Sequence, residues 1–527
     1  MAAKATVPDG FENPTTKTSE HEFKTYVRLG DQLTAWAAPV KQYKHRDCYS
    51  MLKNSVFRDL SDKITVLCGL RRTGKTTMLR QLVLDMTDEQ RSKTAFIQVS
   101  ATDTLASVNA DLSYLEKHGY RYVFLDEVTL MSDFIEGAAL FSDIYASSGM
   151  RIVLSGTDSL GFVFTEHEQL YDRCVMIHTT FISYREFEGV LGIQGIDKFI
   201  QYGGTMSMSG IHYNTDSTFA TKKRTDEYVD SAIAHNIQHS LSHYQDGGHF
   251  RLLYDLFRNG ELTSAINRVV EDLNHRFTKE VLTRTFKSST LSSTANNLLR
   301  DRTAPIDILE NIDQEVVLNS VKTMLDILEK EEQTVDVDDS HAYQIKEYLA
   351  LLNLIEEIDL IHFPDTSANE KKIVLTQPGL RYAQTKALVQ SLLADAKFNK
   401  LSIVERTRVL ERVMSTIQGR MMEDQILLET KMALPNKRVF QLQFAVGEFD
   451  MVIFDPQSLS CKIYEIKYSK GVYPPQYRHL IDTDKCAQTE HHFGKITGKF
   501  VIYRGDNAES DGIRYLNVEE YLTHIAD

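Results

Sequence analysis

Short apolar runs alternate with helical patterns along the first part of the chain. Between residue 64 and about residue 178, runs of four or five apolar residues are separated by segments in which apolar residues recur every three or four positions. The strands predicted by this pattern are ITVLC (64–68), AFIQV (95–99), YVFLD (122–126) and RIVLS (151–155). Such an alternation predicts the α/β class, with a parallel sheet covered by helices on both faces.

The pattern changes after this region. It is mainly helical from about 190 to 300, and then predicts helices over 316–332 and 340–357, followed by strands at IDLIHF and KKIVLTQ. That order suits a winged helix, and a helical connector with a hairpin is the alternative. A long helical stretch (about 383–432) leads to strands between 438 and 505, which predict a second α/β domain.

A chain of 527 residues is too long for one compact core. We expect five segments. They are an N-terminal arm with short helices (1–55), a nucleotide-binding α/β core (56–190), a helical region (191–305), a winged-helix-like domain (306–384) and a second α/β domain (385–527).

Composition and charge argue against several classes of binding partner and of site. The formal net charge of -14 argues against a general polyanion binder, so any nucleic-acid contact is expected on a local patch. Five scattered cysteines without a CxxC pair argue against a disulfide framework or a cysteine zinc site, which fits a reducing cytoplasm. No run of 18 apolar residues occurs, and the N-terminal arm is polar, so we expect neither a transmembrane helix nor a secretion signal.

Residues 69–76 read GLRRTGKT, the P-loop pattern G-x-x-x-x-G-K-[ST]. Its glycines allow the backbone N–H groups to turn toward phosphates, and the next helix adds the positive end of its dipole. We expect Lys75 to reach the β- and γ-phosphates of ATP and Thr76 to ligate Mg²⁺. The predicted nucleotide-binding residues are Gly69, Arg72, Thr73, Gly74, Lys75, Thr76, Thr77, Thr157 and Arg173.

The strand YVFLD ends in two adjacent acids. Asp126, at the end of the strand, is expected to hold Mg²⁺, and Glu127 is expected to polarise the attacking water as a base. Thr157, after the next strand, is the candidate sensor of the γ-phosphate, with a simple polar turn as the alternative. Arg71, Arg72 and Arg173 are candidates for contacting phosphate in cis or in trans, or for surface ion pairs.

Five segments occur in a recognisable order: GLRRTGKTTMLRQL, YVFLDEV, IVLSGTDS, LYDRC and FISYREF. This order resembles the AAA-type ATPases of the archaeal-ATPase-like class of prokaryotes, whose loop often reads GPRRVGKTTLL and whose later segment reads PLSFREF. FIQYGGTM is similar to their YGG stretch, whereas SGTDS departs from their TGSSS. The resemblance implies a winged helix and a restriction-endonuclease-like domain after the ATPase.

Residues 447–469 carry a second group of charged residues. Glu465 and Lys467 are two apart on one strand and so share a face, and a hairpin can bring Asp450 alongside. Carboxylates that hold Mg²⁺ next to an ammonium suit phosphodiester hydrolysis. The arrangement resembles PD-(D/E)xK nucleases, which often add a helical glutamate: Glu423 is the first candidate metal ligand here and Glu429 the second.

Two other groups of polar residues are better explained by structural roles than by metal binding. His235, His239 and His243 are spaced as on one helix face, which suits a polar face better than zinc, and the acidic run 336–339 suits a solvated loop that caps a helix. The expected function is ATP hydrolysis that gates a nuclease, with Lys75, Glu127, Asp450, Glu465 and Lys467 as the catalytic set. The alternative is a nucleotide-controlled switch whose C-terminal fold is inert and binds a protein partner or a second copy.

Overall fold

The structure is a computed structural model. The residues that it describes are 22–58, 63–157, 161–162, 170, 172–206, 217–234, 237–238, 241, 250–287, 337–364, 370–391 and 402–525. The helix expected over 316–332, and His235, His239 and His243, lie outside these residues.

The first sheet has six strands. They are β1 (Tyr26–Arg28), β2 (Ile64–Cys68), β3 (Thr94–Gln98), β4 (Tyr122–Asp126), β5 (Arg151–Gly156) and β6 (Cys174–His178). Their order across the sheet is β1-β3-β4-β5-β2-β6. The five strands from β2 to β6 run parallel, and β1 is added antiparallel to β3. The predicted parallel sheet is confirmed, and β1 is an addition that the apolar pattern did not reveal.

Both faces of this sheet are covered by helices. The helices of this region are α1 (Gly30–Ala37), α2 (Tyr49–Phe57), α3 (Lys75–Asp85), α4 (Asp88–Ser92), α5 (Leu105–Lys117) and α6 (Phe134–Gly137). Alternate residues of β4 enter different cores: Val123 and Leu125 pack in the cluster with α5, and Phe124 packs in the cluster with α3. A strand buried on both faces must be apolar throughout, which explains its short apolar run.

The remaining described helices join the two sheets or cover the second one. They are α7 (Tyr184–Leu191), α8 (Ile196–Tyr202), α9 (Lys222–Tyr228), α10 (Arg251–Arg258), α11 (Leu262–Lys287), α12 (Asp339–Leu351), α13 (Pro378–Ser391), α14 (Ile403–Ala433), α15 (Thr483–Phe493) and α16 (Val518–His524). The cores of α14 and of the second sheet are continuous with those of α7 and α8. None of the described helices is long and apolar enough to cross a membrane.

The second sheet has eight strands. They are β7 (Ile355–His362), β8 (Glu370–Leu375), β9 (Arg438–Gln443), β10 (Glu448–Asp455), β11 (Ser460–Lys467), β12 (Lys495–Tyr503), β13 (Ala508–Ser510) and β14 (Ile513–Asn517). Their order is β13-β14-β12-β11-β10-β9-β7-β8. The β7–β8 hairpin, expected to be the wing of a winged helix, pairs in parallel with β9. The sheet therefore runs across the boundary that the sequence suggested after residue 384.

The helix expected over 340–357 is too long at its C-terminal end. Helix α12 ends at Leu351, and Asn353 adopts a positive φ of 54°, which interrupts helical hydrogen bonding. Ile355 then begins β7, which pairs with β8 at separations of 10 to 20 residues and with β9 at about 80 residues. Because such pairing leaves no local signal, the apolar pattern extended the helix wrongly.

Candidate functional site

The P-loop connects β2 to α3 at the carboxyl edge of the first sheet. Gly69 has φ 146°, and a Cβ there would collide with the Thr179 hydroxyl and lie 3.0 Å from the Thr180 nitrogen. Gly74, with φ 90°, caps α3 in the left-handed region, so that helix begins at Lys75. Glycine is required at both positions because side chains are disfavoured there.

The strand β5 lies between β2 and β4. The side chains of Thr76, Asp126 and Ser155 meet at the carboxyl edge of these three strands. The Thr76 hydroxyl donates to Asp126 Oδ2 at 2.8 Å, and the Ser155 hydroxyl donates to Oδ1 at 2.7 Å. Asp126 is 2% exposed. A hydroxyl and a carboxylate at the start of a helix form an oxygen donor set that fits Mg²⁺ together with a nucleotide phosphate.

Glu127 lies beside this pair in a strained backbone conformation, with φ 60°. Its Oε2 accepts a hydrogen bond from the Thr157 hydroxyl at 3.1 Å. Burial raises the pKa of Glu127, and the neighbouring Lys75 opposes that rise. The carboxylate is thus held in the same small volume as the loop lysine, where it can act as a base toward water.

Lys75 is buried within the loop. Its ammonium donates to the carbonyl oxygens of Gly69 at 2.7 Å and Leu70 at 2.9 Å. Burial lowers the pKa of Lys75, and the carboxylates of Glu127 and Asp126 oppose that change. These carbonyl contacts hold the ammonium inside the loop, close to the carboxylates of Asp126 and Glu127.

The other predicted loop residues have structural contacts. The Arg72 guanidinium donates to Thr218 Oγ1 at 3.0 Å, and the Arg72 carbonyl accepts from Met206 N at 2.7 Å. Thr73 is fully buried, and its hydroxyl donates to the Leu70 carbonyl at 2.8 Å. Thr77 follows Thr76 in the first turn of α3 and is half-buried.

Arg173 lies elsewhere. It precedes β6, and its carbonyl accepts from Ile64 N, at the end of the sheet opposite the P-loop. Its side chain pairs with Asp143 at 3.1 Å. At about 3.3 Å per residue, the five residues of β2 separate it from Gly69 by about 16 Å, which exceeds the reach of one arginine. Arg173 therefore does not reach the nucleotide site of its own chain.

Arg46 contacts and stabilises the loop, and no sequence motif predicted this role. Its guanidinium is buried and donates to the carbonyls of Thr73, Thr179 and Phe181, each at 2.7 Å. It also pairs with both carboxylate oxygens of Glu186 at 2.9 Å. Only a planar fork with several donors can satisfy three segments at once. Glu186 lies in FISYREF, which was noted only as part of a resemblance.

The helix that carries Glu186 also contacts the second sheet region. The Tyr184 backbone N–H, in the first turn of α7, donates to Glu429 Oε1 at 2.7 Å. Glu429 lies on α14, is 2% exposed, and has its pKa raised to about 8 by burial. A continuous path of contacts thus leads from the P-loop through Arg46 and α7 to α14.

The C-terminal carboxylates and lysine meet on β10 and β11. Lys467 Nζ donates to Asp450 Oδ2 at 2.8 Å and also to Glu465 Oε2. The Ile466 backbone N–H donates to Asp450 Oδ2 at 2.7 Å. Burial raises the pKa of Glu465, whereas Lys467 and the Ile466 N–H outweigh burial and lower the pKa of Asp450. Glu465 Oε1 is buried and has no hydrogen-bond partner in the part of the chain that the structure describes.

Glu423 lies near this group on α14. It pairs with Arg420, accepts from Gln441 Nε2 at 3.4 Å, and has Lys372 Nζ at 3.8 Å. Burial raises its pKa to about 7, and Asp450 and Glu448 add to that rise. In the described part of the chain, no three His, Cys, Asp or Glu side chains converge so as to hold a metal ion. The pair Asp450 and Glu465 is instead bridged by an ammonium.

Comparison with known proteins concerns the first of these two sites. Residues 61–188 match the protein family described as an AAA domain, so this part of the chain is similar to AAA-type P-loop ATPase domains. No curated protein matched the chain. Among solved structures, the Aeropyrum pernix ORC1 protein in complex with DNA is similar at 13% identity and a TM-score of 0.25, over 69% of this chain and 98% of that one. That TM-score is too low to support an inference about fold or function.

Proposed function

We propose that the protein hydrolyses ATP at the P-loop. The observation that carries this proposal is the convergence of Thr76, Asp126 and Glu127 beside Lys75. Thr76 and Asp126 would hold Mg²⁺, which supplies charge neutralisation at the phosphates when it is bound. Lys75 would exchange its loop carbonyls for phosphate oxygens. Glu127, oriented by Thr157, would accept a proton from water.

Two substitutions test the ATPase. Lys75→Ala should abolish ATP binding, because the only cation buried in the loop is lost, while Lys63→Ala should bind normally because Lys63 pairs with Asp172 at the far end of β2. Glu127→Gln should bind ATP and fail to hydrolyse it. Normal turnover by Lys75→Ala, or rapid hydrolysis by Glu127→Gln, would contradict the assigned roles.

We further propose that ATP turnover controls the C-terminal domain, which acts on nucleic acid as a nuclease. Asp450, Glu465 and Lys467 support this proposal because they meet in the arrangement expected of PD-(D/E)xK enzymes. The Oε1 of Glu465 would be a further metal-binding atom, since it has no hydrogen-bond partner among the described residues. The contact between Tyr184 and Glu429 supplies a physical route for the control.

The rival function is a nucleotide-controlled switch with an inert nuclease-like fold. Its support is that Lys467 bonds both carboxylates and that, among the described residues, no third metal ligand joins them. In this case, movement of the P-loop would change a surface that binds a protein partner or a second copy. Arg173 could then contact the nucleotide of a neighbouring copy.

A cutting assay separates the two functions. DNA and RNA would be incubated with Mg²⁺ or Mn²⁺ and with the wild type, Asp450→Ala or Asp506→Ala, the last being an exposed carboxylate of the same domain. The nuclease requires cutting by the wild type and by Asp506→Ala, and none by Asp450→Ala. Equal cutting by all three, or cutting by none, favours the switch.

A winged-helix-like unit between 306 and 384 stays part of the proposal. Its support is helix α12 followed directly by the β7–β8 hairpin. Because that hairpin also extends the eight-stranded sheet, such a unit would move together with the nuclease-like domain. Deletion of the hairpin should therefore destabilise the C-terminal domain as well.

A further inference from the structure

Two arginines lie against the single tryptophan of the chain. The guanidinium carbon of Arg80, on α3, is 5.0 Å from the ring centroid of Trp36, and that of Arg28, on β1, is 5.7 Å from it. Trp36 in turn packs on Phe96, with 3.9 Å between the ring centroids. Arginines and tryptophan therefore form one compact group at the β1 edge of the first sheet.

Neither arginine has an acidic partner among the residues that the structure describes. Burial lowers the pKa of Arg80, Arg28 adds to this effect, and Asp126 opposes it. Asp126, however, already accepts hydrogen bonds from Thr76 and Ser155. The Arg80 Nε is buried and has no acceptor among the described residues. Two neighbouring cations without an acidic partner gain from an external anion, because a phosphate or carboxylate relieves their mutual repulsion.

Exposed tyrosine rings flank the arginines. Tyr26 and Tyr43 are each 59% exposed. Arg28 lies 4.6 Å from the ring centroid of Tyr26, and the Tyr43 carbonyl accepts a hydrogen bond at 3.1 Å from Gln81 Nε2, on the residue that follows Arg80. Aromatic faces next to cations bind unpaired bases and their phosphates, whereas an acidic peptide would use the arginines alone. In a duplex the base faces are stacked and inaccessible, so the aromatic rings favour a single strand.

We propose that Tyr26, Arg28, Trp36, Tyr43 and Arg80, here named the arginine–tryptophan patch, bind single-stranded nucleic acid. The inference rests on the nucleic-acid role proposed above and supplies its local contact surface on an otherwise acidic protein. Arg80 follows Thr76 by four residues on α3, so the two side chains lie on the same helix face, one turn apart. A strand bound on the patch would therefore lie close to the metal-binding end of the ATPase site.

Trp36 provides a direct readout, since its fluorescence is the only tryptophan signal of the protein. Oligo(dT) of about 15 nucleotides would be titrated into the full chain, with emission and the anisotropy of a labelled strand measured in parallel. We expect Arg28→Gln and Arg80→Gln each to weaken binding about tenfold at low salt, in line with the loss of one phosphate contact. The double variant should also make the slope of log K against log salt shallower by about 1.4.

The matched control is Arg438→Gln. Arg438 also lies over an aromatic ring, that of Phe440 at 5.7 Å, but it is paired with Asp359 at 3.3 Å. This variant should bind oligo(dT) like the wild type. Circular dichroism would show whether each variant folds. If Arg80→Gln fails to fold, Arg28→Gln still tests the patch, because Arg28 lies on the edge strand.

Three results would overturn the proposal: no oligo(dT) binding, binding that the folded arginine variants leave unchanged, or equal affinity for a duplex. Displacement of the strand by polyglutamate at equal charge concentration would assign the patch to an acidic protein partner instead. ATP hydrolysis measured without oligonucleotide reports on the proposed ATPase by itself. Unchanged oligo(dT) binding by the arginine variants together with specific cutting would reject the patch and leave the nucleic-acid role standing.

Discussion

Glu429 should make the protein less stable as the pH rises, and Glu429→Gln should remove this loss. Glu429 is 2% exposed and accepts the Tyr184 N–H, and no cation lies within hydrogen-bonding distance of it in the described residues. Burial raises its pKa to about 8 from 4.5, with Glu186 and Asp47 adding to the rise and the Tyr184 N–H and Arg185 opposing it. Glutamine keeps the acceptor oxygen and never ionises, so the variant retains the contact without the charge.

The sign and size of this pH effect on stability follow from the difference in proton binding between the folded and the unfolded protein. Between pH 4.5 and about 8 the folded protein holds the proton on Glu429 and the unfolded chain does not. Stability from this group is therefore complete below pH 4.5 and is lost as the pH rises through about 8. At about 1.36 kcal/mol for each pH unit, the full difference corresponds to about 5 kcal/mol, which is an upper limit because water entry would relax it.

Unfolding midpoints of the wild type and of Glu429→Gln, measured at about pH 4 and about pH 9, test this reasoning. The two proteins should agree at the lower pH, and the variant should unfold at a higher temperature or denaturant concentration at the higher pH. Glu411→Gln, an exposed glutamate on the same helix, should match the wild type at both. Equal midpoints for Glu429→Gln and the wild type at the higher pH would refute the assignment of a buried, proton-holding carboxyl.

Three further substitutions address the ATPase site. Gly69→Ala should abolish nucleotide binding, because its Cβ would collide with Thr179 and Thr180. The control Gly119→Ala, where φ is 80° and no atom lies near the added Cβ, should bind ATP normally. Isothermal titration would compare the two affinities for ATP, and equal affinities would contradict the predicted clash. Thr157→Val removes a hydrogen bond that lowers the pKa of Glu127, so the acid limb of the ATPase pH profile should move to higher pH; an unmoved limb would remove Glu127 as the base. Arg46→Lys should lose about two of its hydrogen bonds and destabilise the protein by about 2 kcal/mol, and denaturant unfolding that matches the wild type would reject its bracing role.

Much of the ATPase core was predictable from the chain itself. The strand ITVLC, the P-loop and α3 follow one another without interruption, so the positions of Gly69, Lys75 and Thr76 relative to one another are set locally. The predicted strand over 64–68 matches Ile64–Cys68. Asp126 was recognisable because an apolar strand ends there, and the carboxyl ends of parallel strands share an edge.

Residues that act across long separations were not predictable. Arg46 lies 140 residues from Glu186 and has no motif of its own, since a single arginine in a polar segment gives no periodic signal. Tyr184 and Glu429 are separated by 245 residues. Strand β1, only three residues long, is also too short to show an alternation of apolar and polar positions.

The sequence by itself determined the local units: a strand, loop and helix that cradle phosphate, an acidic strand end, and a hairpin that pairs Lys467 with two carboxylates. The tertiary structure decided how these units meet. It inserted β5 between β2 and β4, joined the β7–β8 hairpin to the C-terminal sheet, and brought α14 against α7. The physical reason is that motifs depend on neighbours along the chain, whereas strand order and buried polar contacts depend on which surfaces exclude water together.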